Sequence, residues 1–78
     1  MQLTIKYFGM IAEATTMPEE QLQIEHCSVS ELLEKLKIAH PKLNHMDFKV
    51  AVDQQLVQEN YTITKEAEIA LLPPFAGG

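Results

Sequence analysis

The hydrophobic and polar positions fall into a few short, regular runs. Leu3, Ile5 and Tyr7 share one parity, and Gln2, Thr4, Lys6 and Phe8 the other, the pattern of a strand over residues 2–8 with one buried face. Phe8 stands out because it lies on the polar parity. Gly9 breaks the run, residues 10–14 can form one helical turn, and residues 15–18 read as loop. Leu22 and Ile24 alternate with Gln21, Gln23 and Glu25, which predicts a second strand. The short connection predicts an antiparallel hairpin with the first.

The period then changes. Ser28-Val29-Ser30-Glu31 is a capping box, and Val29, Leu32, Leu33 and Leu36 follow at i, i+3, i+4 and i+7, a single apolar stripe on a helix. Glu31 and Lys35 have the spacing of a favourable pair on the solvent side. Pro41 stops the helix and biases His40 out of helical geometry. Val50 and Val52 mark a third strand, Asp53-Gln54-Gln55 turns it, and Leu56-Val57-Gln58 returns as a fourth. Residues 60–67 read as irregular. Residues 68–72 form the last strand, with Ile69 and Leu71 on one parity and Ala70 and Leu72 on the other. One helix whose single apolar stripe covers one face of one sheet is an α+β architecture. Residues 1–72 form the domain, and residues 73–78 are an extended tail.

Length and charge narrow the function. The chain has 78 residues and a mass of 8.8 kDa. A domain of this size leaves about 35–40% of its unfolded surface exposed, so a deep enclosed active site or self-contained ATP machinery is not expected. Six Lys and no Arg stand against eleven acidic residues, for a net charge of −5. This opposes nucleic-acid binding, which calls for a basic face. The one cysteine cannot form an internal disulfide. No apolar run approaches the roughly 18 residues of a membrane span, and the first residues do not read as a signal peptide. A cytoplasmic protein that does not engage membranes is expected.

The tail, Pro73-Pro74-Phe75-Ala76-Gly77-Gly78, carries the most chemistry. Two prolines favour a stiff, extended stem, and two glycines lack a Cβ. Six extended residues reach at most about 20 Å. A carboxylate on glycine is open to a bulky activating group. Terminal Gly-Gly alone is equally compatible with a frayed end. Elsewhere, Cys27 precedes the Ser28 cap and reads as a hydrophobic staple onto Leu32, with no Lys or Arg nearby in sequence to activate it. His26, His40 and His45 match no zinc spacing, read as isolated surface residues, and predict no metal site. The methionines read as core filler.

Three blocks in order give a more specific reading. Lys6-Tyr7-Phe8-Gly9 with Glu13, the hairpin Val50-Ala51-Val52-Asp53-Gln54-Gln55-Leu56-Val57, and Glu68-Ile69-Ala70-Leu71-Leu72 running into the tail resemble the small subunits of molybdopterin synthase. These are sulfur carriers of the ubiquitin-like β-grasp fold, and the resemblance covers nearly the whole chain. It implies a mixed sheet of about five strands with one main helix on one face. It also implies that Gly78 is adenylated by a separate enzyme using ATP, converted to a thiocarboxylate by a sulfur donor protein, and inserted with Gly77 into the large subunit. There the sulfur passes to a pterin precursor for molybdenum cofactor biosynthesis. No stably bound cofactor is implied. The chain has no Walker-type phosphate loop, so activation comes in trans.

In the β-grasp fold the first and last strands are parallel neighbours. Phe8 and Leu72 are then expected to form an exposed patch beside the tail, with Leu56 as a third member. Phe8, Leu56, Leu72, Pro73, Pro74, Phe75 and Ala76 are the expected partner-binding residues. The family usually assembles as a heterotetramer of two carriers flanking a dimer of large subunits. Two departures stand out: Ala12 replaces a frequent Arg, and Lys65-Glu66-Ala67 replaces a usual Asp-Gly turn. Three other roles fit the same pattern: a sulfur carrier of thiamine biosynthesis, a ubiquitin-like protein modifier, and an interaction module with an inert tail.

Overall fold

The computed structural model describes residues 1–74. Its main sheet has five strands: β1 (Gln2–Tyr7), β2 (Glu19–Gln23), β4 (Lys49–Val52), β5 (Gln55–Val57) and β7 (Ala67–Leu72). Their order is β2-β1-β7-β4-β5. Only β1 and β7 run parallel, in the register Leu3↔Ala67 to Tyr7↔Leu71, and the other pairs are antiparallel. A short helix, α1 (Met10–Thr15), follows β1, and α2 (Val29–Ala39) crosses one face between β2 and β4. This is the ubiquitin-like β-grasp arrangement expected from the sequence.

The alternation does what it predicts. Leu3, Ile5, Tyr7, Ile69 and Leu71 are buried and meet Val29, Leu32, Leu33 and Leu36 of α2 in one core, which Leu43, Ile11 and Ile63 close at its edges. Burying a Leu or Ile side chain contributes roughly 1.5–3 kcal/mol. The β4–β5 connection is a two-residue turn with φ of 49° at Asp53 and 72° at Gln54. Two successive positive φ values match the right-handed twist of the flanking strands. Asp53 also ties the turn to β7, since its backbone N–H donates to the Glu68 carbonyl and its carboxylate accepts from the Glu68 N–H.

Residues 60–67 are more ordered than expected. They hold a strand, β6 (Thr62–Ile63), which pairs with β3 (Cys27–Ser28) in a second, two-stranded sheet. Two-residue strands are too short to show any period. This small ladder completes the cap of α2. The Val29 and Ser30 amides donate to the Tyr61 and Glu59 carbonyls, the Glu31 amide to Ser28 Oγ, and the Ser28 amide to Glu31 Oε1. All four amides at the helix start are thereby satisfied. Glu31 thus serves the cap, and its expected pairing with Lys35 is not what the structure uses it for.

Two further readings need correction. His40 is not an isolated surface residue. It ends α2 where a 3-10 turn, Pro41–His45, begins, and its Nε2 lies 2.7 Å from Glu20 Oε2. The buried Tyr7 donates its hydroxyl to the same oxygen, and its ring meets the His40 ring edge-on at 5.8 Å between centroids. Glu20 thus joins β1, β2 and the end of α2. Met10 is no core filler, since it is 68% exposed, whereas Met1, Met17 and Met46 do pack on the core.

Burial acts to raise the Glu20 pKa, but the hydrogen bonds from Tyr7 and His40 outweigh it and hold the carboxyl below its ordinary value. A carboxyl depressed in the folded state contributes stability above its unfolded pKa and loses it as pH falls through the folded value. Glu20→Gln is therefore expected to be destabilised near neutral pH. Its deficit against the parent should shrink as urea midpoints are measured from pH 6 down to pH 3, and a deficit that is constant with pH would contradict this role.

Candidate functional site

The face of the sheet opposite α2 divides into two halves. At one end are Gln2, Thr4, Gln21 and Glu68. Gln2 Nε2 and Thr4 Oγ1 both donate to Gln21 Oε1, and Lys6 Nζ lies 2.8 Å from Glu68 Oε2. That ion pair is exposed and adds little stability. At the other end, where β7 finishes, the outward residues are Ala70 and Leu72 of β7, Ala51 of β4 and Leu56 of β5.

Phe8 completes this end. Tyr7 pairs with Leu71, so the following residue, Phe8, comes alongside Leu72. Phe8 is 44% exposed and Leu56 62% exposed. Leu72 is only half-buried, less open than its parity suggested. The structure brings Phe8 and Leu72 together. Leu56 lies apart: it pairs with Ala51, which pairs with Ala70, placing it two strands from β7 or about 10 Å across the sheet. Small residues thus separate two large apolar ones. Exposed Met10, two positions after Phe8, had not been singled out, because one methionine after a strand-breaking glycine carries no pattern.

The turn after Phe8 also shapes the base of the tail. Gly9 has φ 57° and ψ −132°, a conformation close to glycine-only. A Cβ on Gly9 would stand 3.1 Å from Cγ of Pro73. Pro73 therefore rests on bare backbone. This contact spans 64 positions and has no signal in the local pattern. Pro73 is half-buried and Pro74 exposed. The expected site residues Phe75, Ala76, Gly77 and Gly78 lie outside the described residues.

Cys27 is buried in the core with Leu32, as its staple position suggested. Burial pushes its thiol pKa up, Glu31 adds to this, and Lys35, which the sequence reading overlooked, opposes it without prevailing. Such a thiol is a poor nucleophile. Among the described residues, no three His, Cys, Asp or Glu side chains are grouped to hold a metal ion, and no helix is long and apolar enough to cross a membrane.

Residues 5–78 match the description of the ThiS family. The chain belongs to the ThiS family. It is a ubiquitin-like sulfur carrier. Solved structures agree on the fold. A Pyrococcus furiosus chain described as molybdopterin converting factor subunit 1 superposes with a TM-score of 0.88 at 21% identity, over 95% of this chain and 98% of that one. SAMP1 from Haloferax volcanii superposes at 0.83 and 21% identity, over the whole of both chains. The Helicobacter pylori protein, solved as a complex of subunits 1 and 2 of molybdopterin-converting factor, gives 0.70 at 20% identity over the whole of both chains.

The Gly9 geometry gives a direct test. Gly9→Ala combines a disfavoured backbone conformation with crowding against Pro73. It is expected to cost about 1–3 kcal/mol in urea unfolding, with amide shifts of Leu72 and Phe8 moving along with it. A neutral substitution would mean that the turn does not hold Pro73.

Proposed function

We propose that this carrier bears sulfur as a thiocarboxylate on Gly78 and delivers it to a pterin precursor bound in a larger partner subunit, as the donor subunit of a molybdopterin synthase. The observation that carries the reading is the parallel pairing of β1 with β7. It sets an exposed aromatic, Phe8, beside Leu72 and directly at the base of a tail whose sequence is Pro-Pro-Phe-Ala-Gly-Gly. Docking and delivery then share one end of the molecule.

The chemistry follows from what the chain lacks. A glycine carboxylate is unreactive toward sulfur nucleophiles until an oxygen becomes a leaving group. A separate activating enzyme supplies this: the Gly78 carboxylate displaces pyrophosphate from ATP and forms an acyl-adenylate. The terminal sulfur of a donor-protein persulfide then attacks the acyl carbon and AMP departs with the oxygen; a thiol cleaves the resulting acyl disulfide, leaving as a disulfide with the donor's sulfur, and a thiocarboxylate remains. Its sulfur is the nucleophile offered to the precursor. The carrier contributes no acid or base. Its work is to dock through Phe8, Leu72 and Leu56, and to present a narrow tail through Pro73, Pro74, Phe75, Ala76 and Gly77. The large subunit supplies the reaction chamber. Exposed apolar side chains on a small acidic domain suit such a docking face.

Membership of the ThiS family equally favours delivery to a thiazole-forming enzyme in thiamine biosynthesis. The two roles share the carboxylate chemistry and differ in the acceptor. Pro73-Pro74-Phe75 and the segment from Gly9 to Pro18 support the pterin branch, so the large subunit of molybdopterin synthase from the same host is expected to be captured in preference to a thiazole synthase.

Removing Gly78 is expected to abolish sulfur transfer and leave the thermal unfolding midpoint unchanged. Transfer at the parent rate by the shortened chain would end this reading. Phe8→Ala is expected to change stability by less than about 0.5 kcal/mol, as for a surface position. It should weaken partner binding about tenfold or more, as for an interface anchor. Calorimetric titration and urea unfolding on the same sample separate the two effects.

A further inference from the structure

Lys49 opens β4 on the outward parity it shares with Ala51, and it pairs directly with Leu72. Side chains opposed in this way hold their Cβ atoms about 4.5–5.5 Å apart. Leu72 therefore stands between Phe8 on the β1 side and Lys49 on the β4 side. The charged outward residues differ in what they meet. Lys6 is ion-paired with Glu68 and opposes Glu19 across the β1–β2 pair. The Asp53 carboxylate, just past the far end of β4, accepts from the Glu68 amide. Lys49 is exposed and makes no ion pair among the described residues, although Asp47 and Glu59 line a groove with it between α2 and the β4–β5 hairpin.

We propose that Lys49 belongs to the docking edge and takes a carboxylate, from an Asp or Glu of the large partner subunit, beside the apolar pocket that receives Phe8 and Leu72. The inference deepens the proposed docking role and rests on it. Position and charge select this occupant. A partner that covers Leu72 comes within one strand spacing, about 5 Å, of Lys49. An ammonium stripped of water there without a counter-charge is costly, so a complementary surface meets it with an anion. The methylene stem of a lysine adds apolar contact next to Leu72 while its head stays free to pair. The charge pattern also discriminates between partners. The chain carries −5 overall, so its long-range field favours basic surfaces. One cation set against the apolar pair reverses that preference at a single point. It fixes the register of docking and penalises a surface that offers Lys or Arg there.

The test measures binding of the large subunit of molybdopterin synthase from the same host to the parent chain, Lys49→Glu, Lys49→Gln and Lys49→Arg over a range of salt concentrations. Lys49→Glu is expected to weaken binding about tenfold or more, and Lys49→Arg to retain the parent affinity. The parent's affinity should fall as salt is raised, and that of Lys49→Gln should fall less steeply. Urea midpoints equal to the parent's would separate a lost contact from a lost fold. Equal affinity and equal salt dependence in the parent and Lys49→Glu, with Phe8→Ala still weakened, would overturn the lysine contact and leave the docking edge standing. A large subunit that binds the parent and Phe8→Ala alike would refute the docking reading itself, and this contact with it.

Discussion

The pairing of β1 with β7 organises this molecule. The two strands lie at the centre of the sheet and are its only parallel pair, so the first strand and the last end at the same edge. Parallel neighbours cannot be joined by a tight turn, and the intervening chain has to cross a face of the sheet. Here α2 makes that crossing and covers the inward residues of both strands. The outward residues at the shared edge are left as Phe8 and Leu72, and the tail begins beside them. Core, exposed apolar edge and tail base all follow from one register.

A buried polar contact supports that edge. Tyr7, whose ring belongs to the core, has a hydroxyl that needs a partner, and Glu20 provides it while also accepting from His40. A buried phenol without a partner would carry a desolvation cost of about 1–3 kcal/mol. The same carboxylate joins the end of α2 to the hairpin, so the helix and the turn holding Phe8 and Gly9 are fixed to a common frame. Gly9 then gives Pro73 a surface with no side chain on it. The stem of the tail is guided by packing at its root, and its proline content extends that guidance outward.

Much of this was legible in the residues. Period-two alternation found the strands of the main sheet, and the Ser28–Glu31 box located the start of α2 to the residue. Phe8 was visible as a large apolar side chain on a polar parity. What stayed hidden depends on distant pairings. The β3–β6 ladder has two residues per strand, too few to show a period. The Glu20 contacts join positions 13 and 20 residues apart, and the one available hint was that an inward tyrosine needs an acceptor. Leu56 shared the exposed parity with Phe8, yet it stands two strands away from β7, because the order of strands in a sheet is not written in their local pattern. The Gly9–Pro73 contact depended on the same knowledge.

The central claim is that Gly78 carries sulfur, and intact mass tests it most directly. The protein would be incubated with ATP, a sulfur source and the activating enzyme of its own host, then fragmented to locate any change. The account predicts a mass increase equal to one oxygen replaced by one sulfur, confined to the C-terminal glycine and dependent on ATP. A Gly78 carboxylate that stays unmodified with every component active on a control carrier would contradict it.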